Sequence, residues 1–282
     1  MSSPKNKNVK VNLTVPKVAW LTLLLFIGCV ILWCCSLLLY LQGVIPIVLA
    51  LILSTIAAFA SFTPMHDSAH RSVSRLRWIN ELVGRINTIL LFVPFPGLRY
   101  VHQEHHQHTN NKEKDPDYWS GLEPSWMRPF RWLTQDLHYY SFYLKTMHRC
   151  SRSERWESLL TAICLWIVVI TFCFIGYAKV VLILWVLPAR IAVATLAYSF
   201  DYLPHKPHKI TVIEDPYKAT IIRPSWLLTV LLLYQNYHLI HHLYPAVPFY
   251  RYAKVWCSQK DILLSKGAIV RDLLGRDISR QI

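Results

Sequence analysis

Eight histidines stand in three tight groups whose spacing suits metal ligation. His66-Asp-Ser-Ala-His70 is an H-x3-H pair, and its i, i+4 spacing puts both imidazoles on one face of a helix. Two ligands facing one way can share an ion. His102-Gln-Glu-His105-His106 and His238-Leu-Ile-His241-His242 are H-x2-H-H groups. On a helix the first and third histidines of such a group share a face while the middle one lies adjacent, so each group can reach two neighbouring metals. With 13 histidines in 282 residues, one H-x2-H-H arises by chance in roughly 3% of such chains. Two of them plus an H-x3-H are therefore not a coincidence of composition. Imidazole suits Zn, Cu, Fe and Ni, and with no cysteine in the clusters iron–sulfur and thiolate zinc sites are excluded. Eight nitrogens exceed what one ion holds, since a structural zinc takes four ligands and a catalytic zinc about three plus water. The count asks for two ions, and with positions left open for O₂ two irons are the natural choice. The absence of H-E-x-x-H counts against a membrane metalloprotease. Isolated histidines beside apolar segments are ordinarily structural, and that reading is kept for His108, His138, His148 and His208, with His108 the first exception to look for.

These groups must be held by membrane-embedded helices. The chain is 54% hydrophobic with a positive mean hydropathy, too apolar for an ordinary soluble domain. Val18 to Leu41 carries no charge and as a helix runs about 36 Å, enough to cross a bilayer. It is too long, and too bulky at Trp33, Leu37 and Tyr40, for a cleaved signal peptide. Gln42 and Gly43 link it to a second run, Val44 to Phe62, as an antiparallel hairpin. Leu159 to Tyr177 and Val180 to Phe200, joined near Lys179, make another. The fold expected is an all-α integral membrane domain over 1–282: a tail (1–17), a hairpin (18–62), a polar segment with two histidine groups (63–157), a second hairpin (158–200) and a polar segment with the third group (201–282). Ile86 to Pro96 and Trp226 to Tyr234 are too short to span and read as interfacial or re-entrant helices.

The net charge of +14 divides into +4 up to Lys17, +3 from Thr63 to Glu157, +5 from Asp201 onward, and Lys179 and Arg190. The positive sign follows the polar segments, which puts them and both termini on the cytoplasmic side and removes nucleic acid as the reason for it. Trp119, Trp126, Trp132, Tyr139, Tyr140, Trp226, Tyr250 and Tyr252 crowd those segments, as side chains do against lipid headgroups. Cys29, Cys34, Cys35, Cys164 and Cys173 lie in apolar runs and read as small core residues.

Three boxes of the form H-x3–4-H, H-x2–3-H-H and H-x2–3-H-H, with two membrane hairpins, resemble the membrane fatty acid desaturase and hydroxylase superfamily over nearly the whole chain. Phe200-Asp-Tyr-Leu-Pro-His205, Gln235 to Pro245 and Pro248 to Ala253 look closest to cyanobacterial-type β-carotene hydroxylases. The resemblance implies a ninth ligand. In acyl-CoA desaturases of this superfamily a histidine four residues after a polar side chain, at the cytoplasmic end of the fourth span, binds the second iron. His205 holds that place here, with Asp201 where the family has Asn; Asp201 would then hold a metal-bound water or orient an imidazole. Asp115, Asp117, Glu104 and Asn236 are polar neighbours that could accept hydrogen bonds from ligand rings, or serve as solvated or capping residues. Arg190, beside Pro188 in the last span, is costly there unless paired or hydrated; it either snorkels or pairs within the bundle, or it lines the substrate channel or holds a polar end group.

The implied activity is O₂-dependent oxidation of an unactivated C–H bond in a lipid-soluble substrate, with carotenoid ring hydroxylation first and acyl-chain desaturation or hydroxylation second. Side-chain acid–base chemistry cannot cleave such a bond, so metal and O₂ must. The chain has no haem-binding, ferredoxin or dinucleotide motif, so a separate ferredoxin, rubredoxin or cytochrome b₅ is expected to supply electrons. A metal-ion transporter would carry its ligands within the spans near the midplane instead of at their ends. A non-catalytic scaffold would have lost its ligand boxes first.

Overall fold

The computed structural model describes residues 11–282; Lys5, Lys7 and Lys10 of the basic tail lie outside the described residues. The first two apolar runs form α1 (Trp20–Leu41) and α2 (Ile47–Ala69). Between them the chain reverses at Gly43, whose φ of +72° is the left-handed conformation that glycine adopts without a Cβ clash. α2 turns Ala50, Ser54, Ala57, Ala58 and Ser61 inward. Small side chains let the helices approach closely, and the Ser36 and Ser54 hydroxyls lie 2.7 Å apart. The outward faces of both helices, with Leu24, Ile31, Leu38 and Ile56, are exposed.

α2 continues past its apolar part, so His66 rides on its last turn and His70 caps it. Between them Asp67 accepts hydrogen bonds from the Thr22 hydroxyl (2.8 Å) and the Phe249 N–H (3.2 Å). One buried carboxylate thereby ties α1 and the segment after the third histidine group to the first.

The segment from Ile86 to Pro96, expected as an interfacial or re-entrant helix, is sharply bent. It is the corner between α3 (Arg77–Leu91) and α4 (Phe95–His108), which meet at 99°. Pro94 and Pro96 end one helix and start the other. Arg99, only 8% exposed, braces the corner: it pairs with Glu81 (2.5 Å) and Glu154 (2.9 Å) and lies over the Phe95 ring. Gly84 leaves room for that ring, since a Cβ there would stand 2.2 Å from it. Gly84→Ala is therefore expected to destabilise the protein by about 1–3 kcal/mol through overpacking, seen as a lower thermal midpoint in detergent; an unchanged midpoint would show that the corner yields freely.

Two short helices follow, α5 (Arg128–Leu133) and α6 (Gln135–Thr146). The Ser151–Glu154 capping box then opens α7 (Arg152–Phe172). Helical structure continues through α8 (Ala178–Val181) and α9 (Leu187–Leu196) to Tyr202. This run is not straight. Trp166 and Trp185 both pack on Phe92, at 5.0 and 5.3 Å between ring centroids, whereas straight helix would hold residues so far apart in sequence about 28 Å from each other. The reversal is at Gly176, φ +93°, and not at Lys179, because the turn needs the one residue that takes this conformation cheaply. Among the described residues three helical runs are long and apolar enough to cross a membrane, this folded-back run being the third.

The C-terminal part holds α10 (Trp226–Leu231), α11 (His238–Leu243) and α12 (Tyr252–Ser265). It also contains a small parallel pair absent from the all-α expectation, β1 (Ile221–Ile222) with β2 (Ile269–Val270). Its β-branched residues suit a strand, and Ile222 and Val270 pack in one core with Leu239, Ile240, Val255 and Trp256. Of the aromatics expected at headgroups, Trp126 and Trp226 are 69% and 79% exposed. Tyr139 and Tyr252 turn inward, for reasons seen at the site.

Candidate metal centre

α2, α4, the segment after Tyr202, and α11 bring nine imidazoles to one place. They separate into two groups, His66, His70, His102, His106 and His241 in one, and His105, His205, His238 and His242 in the other, with donor atoms in each within 4.8 Å of one another. Helical spacing explains the division. His102 and His106, i and i+4, face the first group while His105 faces the second; on α11 it is His238 and His242 that face the second while His241 crosses to the first.

Within the groups Nε2 atoms lie 3.0 Å (His66–His241), 2.8 Å (His70–His102), 2.7 Å (His106–His241), 3.2 Å (His102–His106), 3.0 Å (His205–His238), 3.0 Å (His238–His242) and 3.3 Å (His105–His242) apart. An imidazole nitrogen offers either one N–H or one lone pair. His106 Nε2 and His241 Nε2 each meet two other ring nitrogens, an arrangement poorly satisfied by hydrogen bonds alone. Lone pairs converging on a common cation satisfy it: at metal–nitrogen distances of about 2.1 Å, neighbouring imidazoles stand about 3 Å apart. The donor set thus fits an ion in each group.

The electrostatics favour neutral ligands. Burial, reinforced by neighbouring rings, holds His102, His106, His241 and His242 well below the usual histidine range, and His205 and His238 likewise; His70 falls to about 3. His105 is the exception. Burial opposes its charge, but Asp117 and Asp115 outweigh that and raise it to about 9. Its Nδ1 lies 2.8 Å from Asp115 Oδ1 and 3.4 Å from Asp117, the carboxylate–histidine arrangement that fixes a ring for ligation through its other nitrogen.

Asp115 therefore sits against a ring of the cluster, and Asp201 joins at one remove: the Tyr139 hydroxyl contacts both Asp117 (2.6 Å) and Asp201 (3.1 Å). Asn236 does not take part. Its amide donates to the Arg223 carbonyl (2.8 Å) and lies near Thr229, holding the approach to α11. Glu104 faces away, toward His108 and Arg149. His138 stacks on Trp119 and His148 is exposed. His208 is buried between Tyr118 and Tyr202, its ring 6.0 Å from that of His205. Tyr139 and Tyr252, expected at headgroups, stand at the site instead, the Tyr252 hydroxyl meeting His241 Nδ1 at 3.1 Å, while Thr109, 3.4 Å from His242 Nδ1, drew no expectation. Nothing in their spacing marks them, because only the fold brings them to the rings.

Three cavities lead away from the first group. The innermost, about 60 Å³, is lined by His66, His102, Leu98, Tyr139, Phe200 and Asp201. One of about 230 Å³ adjoins it along Val93, Leu98 and Tyr139. Another of about 600 Å³ lies between α6, α7 and α9. Arg190, in its wall, pairs with Asp136 and borders this cavity.

Comparison with known proteins agrees with this arrangement. Residues 42–268 match the family model described as fatty acid desaturase. An sn-1 oleoyl-lipid 12-desaturase of Picosynechococcus is 27% identical over 69% of the chain, and one of Synechocystis 28% identical over 69%. An sn-2 acyl-lipid omega-3 desaturase (ferredoxin), chloroplastic, of Helianthus annuus is 23% identical over 73%. The matches cover 63%, 62% and 53% of those relatives, so the chain spans less than two thirds of their length. With the match running from the end of α1 through all three histidine groups, the chain belongs to the fatty acid desaturase family.

Proposed function

We propose that this protein is a membrane oxidoreductase that uses O₂ and external electrons to introduce double bonds into the acyl chains of membrane lipids. The observation that carries the reading is the division of nine buried or half-buried imidazoles into two groups, one of which borders the innermost cavity through His66 and His102. The acyl-lipid activities named for its relatives favour this substrate over a carotenoid ring.

In this reading His66, His70, His102, His106 and His241 hold one iron, and His105, His205, His238 and His242 the other. Bound there, the pair supplies the O₂ activation and hydrogen removal that an alkyl C–H bond requires and no side chain can perform. The chain's own residues do the rest. Asp115 orients His105. Tyr139, its hydroxyl pushed well above the usual range by burial and by the Asp117 and Asp201 carboxylates, stays protonated and keeps both carboxylates in place. Val93, Leu98 and Phe200 exclude water and hold the chain against the site. Four membrane crossings, in two hairpins, put both termini and the histidines on the cytoplasmic side, within one domain spanning 1–282. A ferredoxin-type protein, the donor named for the Helianthus relative, brings the electrons.

Carotenoid ring hydroxylation is the second reading, favoured by the Phe200–His205 and Gln235–Pro245 runs. Expression in a host that makes β-carotene separates them. Fatty acid profiles are expected to gain double bonds while pigments stay unchanged; unchanged fatty acids with a new polar carotenoid would overturn the first reading.

A further inference from the structure

Asp136 borders all three cavities, and Tyr140 stands beside it in the walls of the two larger ones. The remainder of the roughly 600 Å³ chamber is almost wholly apolar, and Leu133, Leu137, Leu144 and Trp166 in its wall are more than half exposed. It therefore opens sideways, toward the surface a bilayer covers. Arg190 is the one basic side chain in that wall. A guanidinium there is costly unless paired, and its partners occupy only part of it. Nη1 and Nη2 donate to the Asp136 carboxylate and Nη2 also to the Leu133 carbonyl: three contacts for a group with five N–H donors. Its side chain stays 33% exposed.

We propose that Arg190, paired with Asp136 on one side only, binds an acceptor oxygen of a membrane-dissolved lipid, an ester carbonyl or a hydroxyl, and thereby determines which carbon lies beside His66 and His102. Arg190 is then a specificity-determining residue. Arg190 orients only one end of the substrate; the rest of the molecule reaches inward past Asp136 to the innermost cavity. This inference rests on the lipid-oxidation reading, but its first test does not require turnover.

Binding to the purified full-length protein is compared for methyl oleate, oleyl alcohol and an oxygen-free octadecene. At least one oxygenated lipid is expected to bind about tenfold tighter than the hydrocarbon, as a hydrogen bond to a charged donor allows, and which one does identifies the oxygen. Arg190→Gln should erase the difference. Asp136→Asn frees the guanidinium and should keep or enlarge it, which decides the matter if Arg190→Gln does not fold. Equal binding of all three by the wild type, a preference that survives Arg190→Gln, or one lost in Asp136→Asn overturns the proposal. In turnover with 16- and 18-carbon chains, the new double bond should keep its distance from the ester carbonyl and scatter in Arg190→Gln; a position constant from the methyl end overturns it too. If the binding preference holds and no acyl chain is oxidised, the functional reading fails and the oxygen site stands.

Discussion

His241→Ala is expected to strip the protein of metal and activity together. His241 is fully buried and its Nε2 lies 3.0 Å from His66 and 2.7 Å from His106, so it joins the first box to the second although it is carried by the third. Under the proposed ligand assignment, its removal leaves the remaining rings of that group without the one that closes it. Iron in the purified protein should fall by at least half and lipid oxidation by about a hundredfold or more. Tyr252→Phe removes only the hydroxyl at His241 Nδ1 and should cost about tenfold in metal affinity, the lower end of what orienting partners contribute. Full iron and full turnover in His241→Ala would rule out the ligand assignment.

Leu98→Trp is expected to stop turnover while leaving the metal in place. Leu98 borders both the innermost cavity and its 230 Å³ neighbour, and is not among the donor residues. An indole there fills the passage a long chain must use. Oxidation of an 18-carbon substrate should fall by more than about tenfold, comparable to the effect of a few misplaced methylenes in an apolar pocket, with iron content unchanged. Short-chain substrates should suffer less. If Leu98→Trp oxidises long chains at the wild-type rate, the substrate approaches His66 by another route.

The amino-acid sequence by itself determined the ligand types, their helical pairing and the apolar runs that had to carry them. These are properties of short spacing: i and i+4 share a face whatever the rest of the chain does, and an apolar run of sufficient length is readable without its neighbours. The separation of His102 and His106 from His105 was already present in H-x2-H-H. Which histidines come together was not, because His241 meeting His66, and His205 meeting His238, depend on how α2, α11 and the segment after Tyr202 pack. The same holds for the polar residues around the rings. Asn236 stands nearer to a box in sequence than Asp115 does, yet it is Asp115 that reaches His105 while Asn236 holds a backbone carbonyl. Tyr139 reaches Asp201 across 62 residues, and Arg190 finds Asp136 across 54. Contacts of that separation are set by helix packing and by turns such as Gly176, so only the tertiary structure could decide them.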